Sequence, residues 1–326
     1  MRRDQDIAVW AQANLRTLDG GRAVVTGGGS GIGLAVSRGL AALGAHVVIA
    51  DRDAAAGEAA AGAINALGGD GSASFRAVDL AEPEAVSTCA AALGDAPVDI
   101  LVNNAGILPP LRRRTTARGD ELAFAISVLG HFALTASLLP ALGAAHAPRV
   151  VWLSSLVHRR GRIDLDDLDG ARNYEAQNAY NQAKIASLML AMEMDRRGRE
   201  RGSHIASLAA HPGVARTAIG HSRDGQARVG LHDHLTDLAF HGVMRLMGQP
   251  ADVASRPVLR AAADRSMAGG SFFGPGGFGE MRGASRLLTP TPVARDASAR
   301  ACLWAYCERR TGHTFPWRAH DRGAAA

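Results

Sequence analysis

One lysine, Lys184, stands among the 36 basic residues of this 326-residue chain, and all the others are arginine. It follows Tyr180 at i+4 in the run Ala179-Tyr180-Asn181-Gln182-Ala183-Lys184, in a chain whose other tyrosines are Tyr174 and Tyr306. An ammonium is a compact point charge on a flexible stem, whereas guanidinium is a broad planar fork. A lysine that survives in so arginine-biased a sequence marks a place where arginine will not serve. Residues at i and i+4 of a helix share one face. A cation held there beside a phenol favours phenolate, which would let Tyr180 act as an acid or base near neutral pH.

A second chemical signature lies upstream, in Thr26-Gly27-Gly28-Gly29-Ser30-Gly31-Ile32-Gly33. Glycines let a backbone turn tightly and approach a pyrophosphate, whose charge is met by the N-terminus of the following helix. Gly27, Ser30, Gly31, Ile32 and Gly33 are therefore expected to hold a dinucleotide, with the spacing TGxxxGxG. The next strand ends at Asp51. An acid there accepts hydrogen bonds from the ribose hydroxyls and repels a 2′-phosphate, which favours NAD over NADP. Arg52 argues the other way, because a guanidinium beside the ribose can pair with that phosphate. NADP thus stands as the alternative.

These groups need a scaffold. Short β-branched runs alternate with Ala/Leu-rich stretches, the pattern of βαβ units and a parallel sheet. Strands are expected at Arg22–Thr26, His46–Ala50, Ser74–Val78, Ile100–Asn103, Arg149–Ser154 and Ser203–Ala209, with a short seventh at Ser271–Gly274. Helices are expected near Gly31–Leu43, Ala54–Leu67, Pro83–Leu93, Asp120–Leu142 and Tyr174–Arg199. Near-continuous apolar strands such as Val47-Val48-Ile49-Ala50 suit a sheet buried on both faces. The fold class is α/β, a Rossmann-type doubly wound parallel sheet forming a single domain with a C-terminal extension. Residues 1–20 read as an N-terminal arm, 21–213 as the core, 214–250 as a substrate lid and 251–326 as the C-terminal part. The lid reading rests on a weak pattern carrying His221, Arg223, Asp224, Arg228 and His232, since a long irregular loop in a compact domain often covers a binding site.

Composition removes several classes. The formal net charge is +5, but the arginines are scattered and few aromatics accompany them, so no nucleic-acid partner is expected. Cys89, Cys302 and Cys307 form no paired motif, which gives no disulfide framework or metal site and makes a reducing cytoplasm the expected location. The opening Met1-Arg2-Arg3-Asp4-Gln5-Asp6 lacks the apolar core of a signal peptide, and no apolar run is long enough to span a membrane.

Taken in order, the glycine loop, Asp79-Leu80, Asn103-Asn104-Ala105-Gly106 and Tyr180/Lys184 resemble the short-chain dehydrogenase/reductase family. The resemblance covers about residues 20–218. Val128-Leu129-Gly130-His131-Phe132-Ala133-Leu134-Thr135, Ser154-Ser155-Leu156-Val157-His158 and the long insertion between Ser155 and Tyr180 look like its retinol-dehydrogenase-like branch. So does Phe273-Gly274-Pro275-Gly276-Gly277-Phe278-Gly279-Glu280, which resembles the tail of bacterial oxidoreductases of that branch and reads equally as a glycine-rich turn. The resemblance implies that Asp79 and Leu80 hold the adenine. Asn103, Ala105 and Gly106 would line the cofactor site, and the segment His211-Pro212-Gly213, with Val214 and Thr217, would contact its nicotinamide end. It implies Tyr180 as acid/base, Lys184 as the charge that lowers the phenol's pKa and binds the ribose, and Ser155 as the group orienting the substrate oxygen.

Ser127 is a departure from this pattern. The family places an asparagine there, thought to fix a helix kink and hold a water relaying protons to the lysine, so an altered relay is expected.

The implied reaction is hydride transfer between NAD(H) and a secondary alcohol or ketone of a small or medium-sized substrate, by a homodimer or homotetramer built through the long middle helices. The alternatives are an NADP(H)-dependent reductase of aldehydes or retinoid-like ketones, and a low-turnover cofactor-binding regulatory or scaffolding protein. Two basic clusters, Arg112-Arg113-Arg114 and Arg159-Arg160 with Arg162, read as solvated loops or as a rim that recruits an anionic substrate.

Overall fold

The computed structural model describes residues 6–216 and 248–317. Strands β1 (Arg22–Thr26), β2 (His46–Asp51), β3 (Ser72–Ala77), β4 (Ile100–Asn103), β5 (Arg149–Leu153), β6 (Ala206–Ala210), β7 (Phe272–Pro275) and β8 (Ser285–Leu287) form one sheet in the order β3-β2-β1-β4-β5-β6-β7-β8. All neighbours pair in parallel except β7 and β8, which are antiparallel. The order reverses between β1 and β4, and in such sheets ligands bind outside the carboxyl ends of the strands at that reversal. The central strands β4 and β5 are buried along their whole length, as parallel strands covered on both faces must be.

Two apolar layers sandwich the sheet. One holds helices α1 (Ile7–Asn14), α2 (Gly31–Ala42) and α3 (Ala54–Ala66), together with the later helix Arg256–Ala263. The other holds α4 (Pro83–Leu93), the segment Leu122–Ala144, α8 (Ala176–Glu200) and the C-terminal helix Ala297–Thr311. Among the described residues no helix is long and apolar enough to cross a membrane.

Three elements differ from expectation. The N-terminal arm contains α1, whose Ile7 and Ala11 are fully buried, so it belongs to the core. The single helix expected over Asp120–Leu142 is four pieces: α5 (Leu122–Phe124), a π-helix (Ala125–Gly130), α6 (His131–Ser137) and α7 (Leu139–Ala144). Pro140 opens the last piece, because proline lacks the amide that a continuing helix would need. The eighth strand, β8, is three residues long and half exposed, and it carries no alternating pattern to announce it. The lid expected at 214–250, with Thr217, lies mostly outside the described residues. Its described ends are joined, since Gln249 N donates to Val214 O and Arg216 N donates to Gln249 O.

The outward faces of α6 and α8 are covered by the helix Ala297–Thr311 and the described residues that follow it. Trp304 is fully buried, edge-on to Phe132 at 4.9 Å between centroids and 4.5 Å from Phe315. The Arg197 guanidinium lies 5.0 Å from its ring. Fully buried Glu193 is matched by Arg196, Arg197 and Arg300, the condition under which a carboxylate tolerates burial.

Candidate active site

The carboxyl ends of β1, β2, β4, β5 and β6 open into a cavity of about 520 Å³. Its first wall is the turn from β1 into α2. Gly27 has φ +63 and Gly31 has φ +52, a region that L side chains rarely adopt. A Cβ at Gly33 would lie 2.0 Å from Gly27 O and 2.6 Å from Asn104 Nδ2, so only glycine fits. Ser30 caps α2 without a side-chain bond to the helix amides, which leaves the helix N-terminus and the serine hydroxyl facing the cavity together. That donor set suits a pyrophosphate. At the tip of β2, Asp51 Oδ2 accepts from Gly29 N at 2.9 Å. The Arg52 guanidinium extends to Asp79 Oδ2 at 3.8 Å while remaining 69% exposed. Asp79 and Leu80 line the cavity beyond β3.

The cavity brings together Ser30, Ile32, Asp51, Arg52, Asp79, Leu80, Ala105, Gly106, Ser155, Tyr180, Lys184, Pro212, Gly213 and Val214, as well as the loop glycines. Asn103 is placed elsewhere. It is 1% exposed, and its Nδ2 donates to Thr135 Oγ1 inside the layer below the sheet. Its neighbour Asn104 lines the cavity instead, with Nδ2 donating to Thr26 O at 2.7 Å. Successive side chains of an extended chain point to opposite faces, so only one member of the pair can face the ligand. Thr217 lies outside the described residues.

The chemistry-bearing groups come from α8, the π-helix and the end of β5. Tyr180 is half-buried, and Lys184 is 3% exposed with its Nζ 6.0 Å from the Tyr180 ring centroid. Nζ donates to Leu153 O at 3.3 Å. Burial holds the ammonium down at a pKa of about 8, since desolvation penalises the charged form. Ser155 sits at the N-terminus of the 3₁₀ turn Leu156–Arg160, its Oγ accepting from Val157 N at 3.5 Å. Ser154 points the other way and donates to Lys184 O at 2.7 Å, tying β5 to α8.

Ser127 does not line the cavity, but it is near. A Cβ placed on Gly106 would be 3.2 Å from both Ser127 Oγ and Lys184 Nζ. The bend expected of an asparagine is present with serine, as the π-helix. Ser127 O, freed from regular helical bonding, accepts from His131 Nδ1 at 3.1 Å and from Ser187 Oγ at 3.4 Å. A carbonyl only accepts, so the His131 proton is on Nδ1, and Nε2 accepts from Thr26 Oγ1 at 2.8 Å. Burial pushes this ring down to a pKa of about 3, leaving it neutral. Thr26 Oγ1 in turn accepts from Asn104 N and Ala105 N. His131 thus links the bent helix to the cofactor-side turn, a role that its place in an apolar run did not announce.

Of the arginine clusters, Arg113 donates to Asp169 O and Gly119 O, and Arg159 reaches Glu280 at 3.8 Å. Neither cluster lines the cavity.

Comparison with known proteins identifies the family. The family model described as short chain dehydrogenase matches residues 22–227. Human retinol dehydrogenase 13 is 33% identical over 304 residues, covering 92% of this chain and 87% of that protein. The polyprenol dehydrogenase of Danio rerio is 36% identical over 74% of each chain. A crystal structure of an uncharacterised Mycobacterium paratuberculosis protein superposes with a TM-score of 0.75 at 34% identity, covering 93% of this chain and 98% of that one. The Pseudomonas aeruginosa RhlG/NADP active-site complex gives a TM-score of 0.55 at 25% identity, over 78% of this chain and 94% of that one. The chain belongs to the short chain dehydrogenase family, on its retinol-dehydrogenase-like side, and is an oxidoreductase that uses a nicotinamide cofactor on CH–OH groups.

Proposed function

We propose that the protein interconverts a secondary alcohol and the corresponding ketone of a small or medium-sized organic substrate, with NAD(H) as hydride carrier. The observation that carries this reading is the convergence of Ser155, Tyr180 and the lone lysine on the cavity that also contains the glycine turn. The bound nicotinamide supplies or accepts a hydride at its C4. In reduction, the Tyr180 hydroxyl donates its proton to the substrate carbonyl oxygen as the hydride reaches carbon. In oxidation, the phenolate takes the proton from the alcohol. Lys184 favours the phenolate by its charge and offers N–H donors to the ribose hydroxyls. Ser155 would donate a hydrogen bond to the reacting oxygen and hold it beside Tyr180.

NAD is favoured over NADP by Asp51, whose negative charge would face a 2′-phosphate. Arg52 is largely exposed beside Asp79, and a pair in that setting is weakly held. Against a low-turnover scaffold stands the survival of all three reactive groups in one cavity. The test is turnover of a panel of secondary alcohols with NAD and NADP, by wild type and Tyr180→Phe. The expected result is NAD-linked oxidation that falls by a factor of about 10²–10⁴ in the variant with unchanged NADH binding. Tight NADH binding with no turnover of any alcohol would favour the scaffold.

A further inference from the structure

Glu280 lies beyond residues 22–227, the span matched by the family model, yet it is linked through His211 to Gly213, which lines the cavity. It is the one non-glycine residue with positive φ, at 60°, among those described. That conformation costs a side-chain-bearing residue roughly 1 kcal/mol, and it is held only where surrounding contacts compensate. The compensating contact is His211, fully buried at the end of β6, whose Nε2 lies 3.3 Å from Glu280 Oε2. Neither of these atoms makes a hydrogen bond in good geometry, so the 3.3 Å approach of the two is the polar contact that each has within reach. The fit is tight. A Cβ on Gly274 would lie 2.3 Å from His211 Nε2.

The tautomer follows from the other nitrogen. Gly213 N can only donate, and it lies 3.1 Å from His211 Nδ1, so Nδ1 accepts and the proton of the neutral ring is on Nε2, facing the carboxylate. Burial lowers the His211 pKa, which keeps the ring neutral. The chain Glu280–His211–Gly213 therefore ends on a loop residue that lines the cavity, with φ +72. The same tail segment is fastened to that loop a second time, by Val214 N donating to Met281 O at 2.8 Å.

We propose that Glu280 is a positioning residue for the nicotinamide half of the cofactor: acting through His211, it sets the Pro212–Val214 loop against which that half would rest. The proposal rests on the cofactor reading above, but not on any particular substrate. It separates the two halves of the dinucleotide. The adenosine half would meet Asp51, Asp79 and the glycine turn, which Glu280 does not touch. The nicotinamide half would meet the loop that Glu280 holds.

The experiment measures binding of NADH and of ADP-ribose, which lacks the nicotinamide ring, by calorimetry on the full-length protein. The variants are Glu280→Gly and Glu280→Gln. Glycine suits the backbone at φ 60, so it removes the carboxylate while relieving strain, and ADP-ribose affinity reports directly that the fold persists. Glutamine keeps an acceptor oxygen toward His211 Nε2. The expected result is about tenfold weaker NADH binding by Glu280→Gly, unchanged ADP-ribose binding, and substantial recovery of NADH affinity in Glu280→Gln. Wild-type NADH affinity in Glu280→Gly would overturn the proposal. So would an equal loss for both ligands, or a glutamine variant no better than the glycine one. A wild-type protein that binds neither ligand would instead remove the cofactor reading itself.

Discussion

Lys184 should destabilise the protein that depends on it. The side chain is 3% exposed, and burial alone lowers its pKa from 10.5 to about 8, with no carboxylate offsetting the cost. A drop of that size corresponds to about 3 kcal/mol against the charged form. Replacing Lys184 by methionine, similar in length and without charge, removes this penalty. It also removes the bond from Nζ to Leu153 O, worth about 1 kcal/mol. The cofactor-free Lys184→Met protein should therefore be more stable than wild type at pH 7 by about 2 kcal/mol, and catalytically inert.

The sign also fixes a pH window. The folded-state pKa lies below the unfolded value, so between pH 8 and 10.5 the unfolded chain holds a proton that the folded one has released. Wild-type stability should rise relative to the variant through that interval, so that the gap closes within it and reverses by about 1 kcal/mol at its top. Below pH 8 the full penalty is present and the gap is constant. Denaturant titrations of both proteins across this range provide the assay, and their difference cancels other titrating groups. A variant equally or less stable at pH 7, or a gap that does not narrow with rising pH, would refute the reasoning.

Two further outcomes follow from side chains already placed. Asp51→Ala removes the charge that would oppose a 2′-phosphate, and should lower the ratio of kcat/KM for NAD over NADP by at least about tenfold; an unchanged ratio would mean that Asp51 does not read the ribose. Trp304→Ala opens a cavity between Phe132 and Phe315 and should cost about 3–5 kcal/mol, read as a lowered unfolding midpoint, whereas a loss below about 1 kcal/mol would mean that the C-terminal helix is only loosely applied.

Much of the site was legible because its chemistry sits where strands end. The glycine turn, Asp51, Asp79, Ser155 and the Tyr180/Lys184 pair each follow a strand or open a helix, and the sheet carries all of them to one cavity. What stayed hidden depended on the direction of a side chain or on partners distant in sequence. Asn103 and Asn104 differ only in which way they face. His131 sits in a run that reads as plain apolar helix, and the π-turn that gives it Ser127 O as an acceptor has no pattern of its own. The first helix buries only Ile7 and Ala11, too short a stripe to separate from an arm. His211 and Glu280 are joined by the fold alone, and the glycine-rich stretch before Glu280 reads as a turn with no hint of what it holds.

The C-terminal cover has a consequence for how the protein is made. Trp304 and Phe315 close the core over Phe132, yet they leave the ribosome after every strand of the sheet and after α8. The strands and α8 can assemble earlier, with an apolar flank still open until the final helix arrives, and partly folded chains in that condition are prone to aggregate. A stop codon placed just before Ala297 would thus yield an unsealed protein with its reactive groups in place, and a shorter working enzyme would not result. The segment that carries Trp304 and Phe315 decides whether everything synthesised before it stays in solution.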